Sequence, residues 1–159
     1  MAKLTIAAVG RLKETYWQDA AAEYIKRLPS HFKPTIKEVR EEPFPSSVTS
    51  ALRQNILAKE GKKLLSLVPT DSYIIALDVG GRSISSEEAA RALGELMDAG
   101  RNVAFVIGGP LGIADEIRKA ARERWSLSAL TFTHQMARVI LLEQIYRAYK
   151  INNGEKYHW

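Results

Sequence analysis

The chain has 159 residues, 46% hydrophobic and 26% charged, a balance that supports a packed apolar core and excludes a disordered or collagen-like chain. Cysteine is absent, which excludes disulfides, thiolate nucleophiles and cysteine-ligated zinc, and fits a reducing compartment. The formal net charge is +5, and the surplus lies in the first part of the chain: residues 1–70 carry 12 basic and 7 acidic groups, whereas residues 71–159 carry 11 of each. A surplus around Arg11, Lys13, Lys59, Lys62 and Lys63 either solvates one face or attracts polyanions, nucleic acid foremost.

The predicted elements alternate along the chain. Lys3–Val9 reads as a short apolar strand, too short for a membrane span or a secretory signal, so a cytoplasmic protein is expected. Glu14–Leu28 has a helical period through Tyr16, Ala20, Tyr24 and Leu28, and Pro29 ends it. Lys33–Val39 is a weaker strand, and Arg40–Ser47, with Pro43 and Pro45, is a loop. Ser47 to about Leu67 reads as a helix with a break at Gly61. Ser72–Val79 is a buried strand. Ser85 and Glu88 form a capping box that opens a helix to about Ala99, stopped by Gly100. Asn102–Ile107 is a strand, a helix runs from about Ala114 to Arg124, and Ser126–Phe132 is a last strand. Thr133 or His134 opens a long helix to about Asn152. This order predicts an α/β fold, a mainly parallel sheet with helices on both faces. With no repeat, low-complexity segment or linker, a single domain over residues 1–159 is expected.

Ligands of open parallel sheets bind outside the carboxyl ends of the strands. Here those ends read Leu77-Asp78-Val79-Gly80-Gly81-Arg82, Ile107-Gly108-Gly109-Pro110-Leu111-Gly112 and Leu127-Ser128-Ala129-Leu130-Thr131-Phe132. Glycine lets a ligand approach the backbone, although strand-to-helix turns often need glycine in any case. The pattern is neither a G-x-G-x-x-G nor a P-loop, so elimination leaves a ligand held by backbone groups and apolar walls, such as an adenosyl group. His31, His134 and His158 match no zinc spacing, and no metal is expected. His134 opens the last helix, either facing solvent or serving a site beside the preceding strand. Val139, Leu142 and Tyr146 form an apolar stripe, core or subunit contact, and Glu143 and Arg147 are spaced for a helix salt bridge. The aromatic tail Tyr157-His158-Trp159 is expected to dock, where it would close a pocket or stack on a base.

Taken together, Leu77-Asp78-x-x-Gly81-Arg82, Phe105-Val106-Ile107-Gly108-Gly109-Pro110-x-Gly112, Ser126-Leu127-Ser128-x-x-Thr131, His134-x-x-x-Arg138 and Glu143-Gln144-x-Tyr146-Arg147-Ala148 resemble the ribosomal RNA large-subunit methyltransferase H family of the SPOUT superfamily. Val9-Gly10-Arg11-Leu12-Lys13 resembles it too, so the likeness spans nearly the whole chain. The resemblance implies an α/β fold with a C-terminal trefoil knot, a homodimer, and S-adenosylmethionine as methyl donor. It implies donor contacts at Leu77, Gly108, Gly109, Leu127, Ser128, Ala129, Leu130, Thr131 and Phe132. It also implies a pseudouridine of 23S ribosomal RNA, methylated at N3 on the assembled ribosome. His134, Arg147, Tyr157 and His158 would surround the target base. The tail departs from the family's His-Pro-Tyr-His-Arg-like ending: Glu155-Lys156 replace His-Pro and Trp159 replaces the final basic residue. A ribosome-binding module without catalysis and a small-molecule methyltransferase are the competing classes; salt-sensitive binding with no cofactor marks the first, donor binding without RNA affinity the second.

Overall fold

The computed structural model describes residues 1–157. Its strands are β1 (Leu4–Val9), β2 (Thr35–Val39), β3 (Tyr73–Ser83), β4 (Val103–Ile107) and β5 (Glu123–Ser126). Its helices are α1 (Thr15–Arg27), α2 (Ser50–Leu67), α3 (Ser86–Asp98), α4 (Asp115–Ala120) and α5 (His134–Asn152). The five strands form one sheet in the order β2-β1-β4-β3-β5, and every pairing is parallel.

The strand pattern dictates two cores. Side chains alternate across a strand, so Leu4, Ile6 and Ala8 of β1 join Phe105, Leu93, Leu142 and Ile145 in one cluster. Ala7 and Val9 join Leu64, Val106, Ile113 and Ile117 in the other. Helices α1, α3 and α5 therefore cover one face, and α2 and α4 the other. Burial on both sides explains why β1 and β4 read as almost wholly apolar runs, with Thr5 the one polar residue.

Several expected boundaries hold for the expected reasons. Leu28 is extended before Pro29, which ends α1. Both hydrogen bonds of the Ser85–Glu88 capping box are present. Others differ. Helix α2 runs without a break through Gly61, because Gly61 is buried where a Cβ would lie 2.8 Å from that of Ala114. The glycine serves close packing of α2 on α4, not a helix end. Helix α4 stops at Ala120, short of the expected Arg124, because the Arg122 N–H already donates to the Ile74 carbonyl (2.8 Å) and draws the chain into the sheet. Strand β3 extends past Val79 to Ser83, resuming its pairing with β5 after a register shift between Leu77 and Arg82. The last strand is Glu123–Ser126 rather than 126–132. Beyond Ser126 the chain leaves the sheet, and Leu130 is 70% exposed. The apolar content of 127–132 serves the wall of a cleft.

Candidate active site

Strands β1 and β4 are neighbours, but the chain leaves β1 toward β2 and leaves β4 toward β5. Such divergence opens a crevice at the carboxyl ends of the strands. The structure has a cleft of about 770 Å³ there. Its floor is Leu77 and Ile107, which are register partners at the ends of β3 and β4. One wall is the turn Gly108–Gly112; the other is the segment 127–133 that follows β5.

Both walls are built by local chemistry. A Cβ on Gly108 would run into the Gly112 carbonyl, so only glycine permits the turn, which the Gly112 N–H closes onto the Gly109 carbonyl (3.1 Å). In the opposite wall the Ser128 hydroxyl accepts from the Leu130 N–H (3.0 Å), and the Ser126 hydroxyl donates to the Ser128 carbonyl (3.0 Å). Thr133 then caps α5 by accepting from the Met136 N–H (3.3 Å).

Charge is fixed at the rim. The Asp78 carboxylate accepts from Arg118 Nε (3.0 Å), Arg124 Nη1 (3.2 Å) and the Gly80 N–H (3.2 Å). Burial would raise the Asp78 carboxyl, but the bond from Arg118, the Gly80 N–H and the second arginine outweigh it and hold the group below its usual range. Arg53, from α2, donates to the Leu111 carbonyl (3.0 Å).

His134 lies in the cleft with its ring on Gly10: a Cβ there would stand 2.5 Å from His134 Cε1, and Gly10 has φ +90°. Burial lowers the His134 pKa, partly offset by Glu41, so the imidazole is neutral at pH 7. Its Nδ1 is buried without a hydrogen-bond partner among the described residues. One turn on, Arg138 is 1% exposed; it is paired with Glu38 and donates Nη2 to the Gly10 carbonyl (2.9 Å).

Of the expected donor residues, Leu77, Gly108, Gly109, Leu127, Ser128, Leu130, Thr131 and Phe132 line this cleft, and Ala129 does not. The residues expected around the target base separate. His134 is in the cleft, while Arg147 and Tyr157 belong to a second cluster, about 20 Å along α5 at 1.5 Å per residue. There the Tyr157 hydroxyl donates to Glu143 (3.0 Å), Arg147 pairs with Glu143 (2.6 Å) and also lies 4.8 Å over the Tyr157 ring, and Tyr157 packs edge-on against Tyr146 (4.7 Å). The tail therefore docks through Tyr157, whose hydroxyl burial and Glu143 push up to about 12. His158 and Trp159 lie outside the described residues. In the sequence, Asp78 and Gly10 stand out only as members of the quoted motifs and Arg53 only as a basic residue; the available signal was Asp78, a carboxylate within an apolar strand, and Arg138 four residues past His134 on an apolar helix face. Among the described residues, no cluster of three or more His, Asp or Glu could hold a metal, and no helix is long and apolar enough to cross a membrane.

The family model for a predicted SPOUT methyltransferase matches residues 2–158. The chain is 48% identical over 156 residues to the Ribosomal RNA large subunit methyltransferase H of Clostridium novyi (strain NT), covering 98% of both chains. To the protein of the same name from Pelotomaculum thermopropionicum it is 44% identical over 160 residues, covering 100% of both. Among solved structures, a probable methylase family protein from Haemophilus influenzae Rd KW20 superposes with a TM-score of 0.57 at 15% identity, covering 99% of this chain and 71% of that one. A TrmH/SpoU tRNA modifying enzyme from A. aeolicus gives 0.53 at 15% identity, over 97% of this chain and 78% of that one. These two establish likeness of fold: a SPOUT-type α/β fold, consistent with the trefoil knot of that class. With family model, full-length relatives and fold in agreement, the chain belongs to the SPOUT methyltransferases and, within them, to the ribosomal RNA large subunit methyltransferase H family.

Proposed function

We propose that this chain methylates N3 of a pseudouridine in 23S ribosomal RNA on the assembled ribosome, using S-adenosylmethionine, as a cytoplasmic homodimer that needs no metal. The observation that carries the reading is the cleft at the ends of β3 and β4, lined by all the expected donor residues except Ala129. Its chemistry fits the donor. The Gly108–Gly112 turn presents backbone where a Cβ would collide, and Leu77, Ile107, Leu127 and Phe132 supply apolar surface for an adenosyl group.

When bound, S-adenosylmethionine supplies an electrophilic methyl group on a sulfonium. The protein's share is orientation and proton management. The imide N3 must lose its proton, and His134 is the neutral base at the cleft. With Nδ1 buried, Nε2 is the ring nitrogen left to accept that proton. Arg147 stands too far along α5 to share a nucleotide with His134 of its own chain, and Tyr157 packs beside Arg147. A homodimer in which the tail cluster of one copy completes the cleft of the other accounts for both positions. Arg11, Lys13, Lys59 and Lys62 offer phosphate contacts to ribosomal RNA. Lys63 contributes less than its charge suggests, because it is paired with Glu42 (2.7 Å).

The test is transfer of labelled methyl to intact ribosomes lacking the modification, with naked ribosomal RNA alongside. Label in large-subunit RNA from ribosomes alone supports the proposal. Label in neither, with folded protein and an active family member as control, rejects it.

A further inference from the structure

Helix α2 carries no residue of the expected site, yet two of its side chains reach the walls of the cleft. Arg53 and Glu60 are seven residues apart, two helical turns, and so share a face. Arg53 Nη2 donates to the Leu111 carbonyl in the Gly108–Gly112 turn (3.0 Å). Glu60 is 3% exposed. Its Oε2 accepts from the Glu42 N–H (3.2 Å), in the loop that follows β2 and carries the cleft residue Glu41. Both Glu60 oxygens lie 3.6 Å from where a Gly109 Cβ would sit, so the carboxyl packs against the underside of the same turn. Gly61 beside it lets α2 and α4 meet closely, which sets the height of this face.

Glu60 has no cationic partner among the described residues, since Lys63, the nearest lysine acting on it, is held by Glu42. The charged groups facing it are Glu41 and Glu42 from the loop and Lys63 from its own helix. Burial, reinforced by the two acidic neighbours, pushes its carboxyl up. Burial without a counter-ion favours the neutral form of a carboxyl over the charged one.

We propose that α2 is a strut that sets the shape of the donor cleft, with Glu60 and Arg53 as positioning residues that join the loop after β2 to the Gly108–Gly112 turn. The inference rests on the reading of the cleft as the S-adenosylmethionine site. It distinguishes Glu60 from a residue that merely fills the core: a filler would change stability alone, whereas a strut changes donor affinity and leaves the affinity for RNA.

The experiment is calorimetric titration of the full-length chain and its variants with S-adenosylmethionine, alongside thermal melts and the KM for ribosomes. Glu60→Ala weakens donor binding about tenfold, the scale of one lost anchoring hydrogen bond to a buried group. Glu60→Gln, isosteric with the neutral acid, recovers most of that loss. Arg53→Ala, which removes an exposed side chain, weakens donor binding about threefold with an unchanged melt. The KM for ribosomes stays constant throughout. A folded Glu60→Ala that binds donor like the parent overturns the proposal, as does a Gln variant as weak as the Ala variant. If Glu60→Ala fails to fold, Arg53→Ala decides: unchanged donor affinity overturns the proposal, and a selective loss supports it. If the parent chain itself binds no donor, the reading of the cleft falls and takes the strut with it.

Discussion

Replacing Arg138 by Met tests how the cleft is tied to the core. The substitution keeps an apolar stem of similar length and removes a cation that is 1% exposed, paired with Glu38 and bonded to the Gly10 carbonyl. Breaking a buried ion pair by removing one partner costs about 3–5 kcal/mol. The Glu38 side chain is 33% exposed, so water takes up part of its abandoned charge, and the lower end, about 3 kcal/mol, applies. At about 2–4 °C per kcal/mol for a domain of this size, the melting midpoint falls about 6–12 °C. Because the lost bond also held Gly10 beneath His134, methyl transfer falls further than the change in folded fraction explains. Adding Glu38→Gln recovers part of the midpoint, since the orphaned charge is gone. Circular dichroism melts of the single and double variants, with transfer assays below the transition, make the comparison. A single variant that melts within about 2 °C of the parent would refute the estimate, given the expected shift. A double variant no more stable than the single would refute its assignment to an uncompensated charge.

Gly10→Ala meets both a left-handed backbone and the His134 ring, and should cost about 1–3 kcal/mol and most of the activity; melts and transfer assays check both. Since burial lowers the His134 pKa, the acid limb of the pH–rate profile should lie below pH 6.5, the ordinary imidazole value, and His134→Gln should abolish that limb; a limb at or above 6.5 counts against His134 as the base. Asp78 titrates lower in the fold than in the unfolded chain, so its contribution is present above the unfolded value of 3.8 and is lost as pH falls through the folded one. Asp78→Asn should therefore be less stable than the parent near pH 7, with the gap closing in acid; a gap independent of pH would count against the arginine bonds as its cause. Glu60 runs the opposite way: its contribution is full below the ordinary 4.5 and is lost as pH rises through its raised folded value. Glu60→Gln should gain on the parent as pH rises above 4.5, and melts across pH that show a constant or shrinking difference would oppose this.

The parallel sheet was legible because burial on both faces leaves predominantly apolar runs such as Leu4–Val9 and Val103–Ile107, which need no tertiary information to recognise. The capping box and Pro29 placed helix ends for equally local reasons. The misread stretches are those where distant partners decide. Gly61 looks like a helix breaker until Ala114 stands against it, and Ser126–Phe132 looks like a strand, but its pairing with β3 ends at Ser126, opposite Ser83, the last residue of β3. In the site, the glycine-rich turn and the 127–132 wall were visible as composition. The grip of Asp78 on Arg118 and Arg124 spans 40 and 46 residues and has no local signature.

The strand order also bears on how the chain emerges during synthesis. Strand β1 is made first, yet one of its two neighbours in the sheet is β4, whose residues 103–107 follow about a hundred positions later. At elongation rates of about 5–20 residues per second, Leu4–Val9 waits on the order of ten seconds for that edge to be covered. During that interval a mostly apolar ribbon has β2 on one side and nothing from its own chain on the other, so the nascent protein is most vulnerable to aggregation before its middle third has been made.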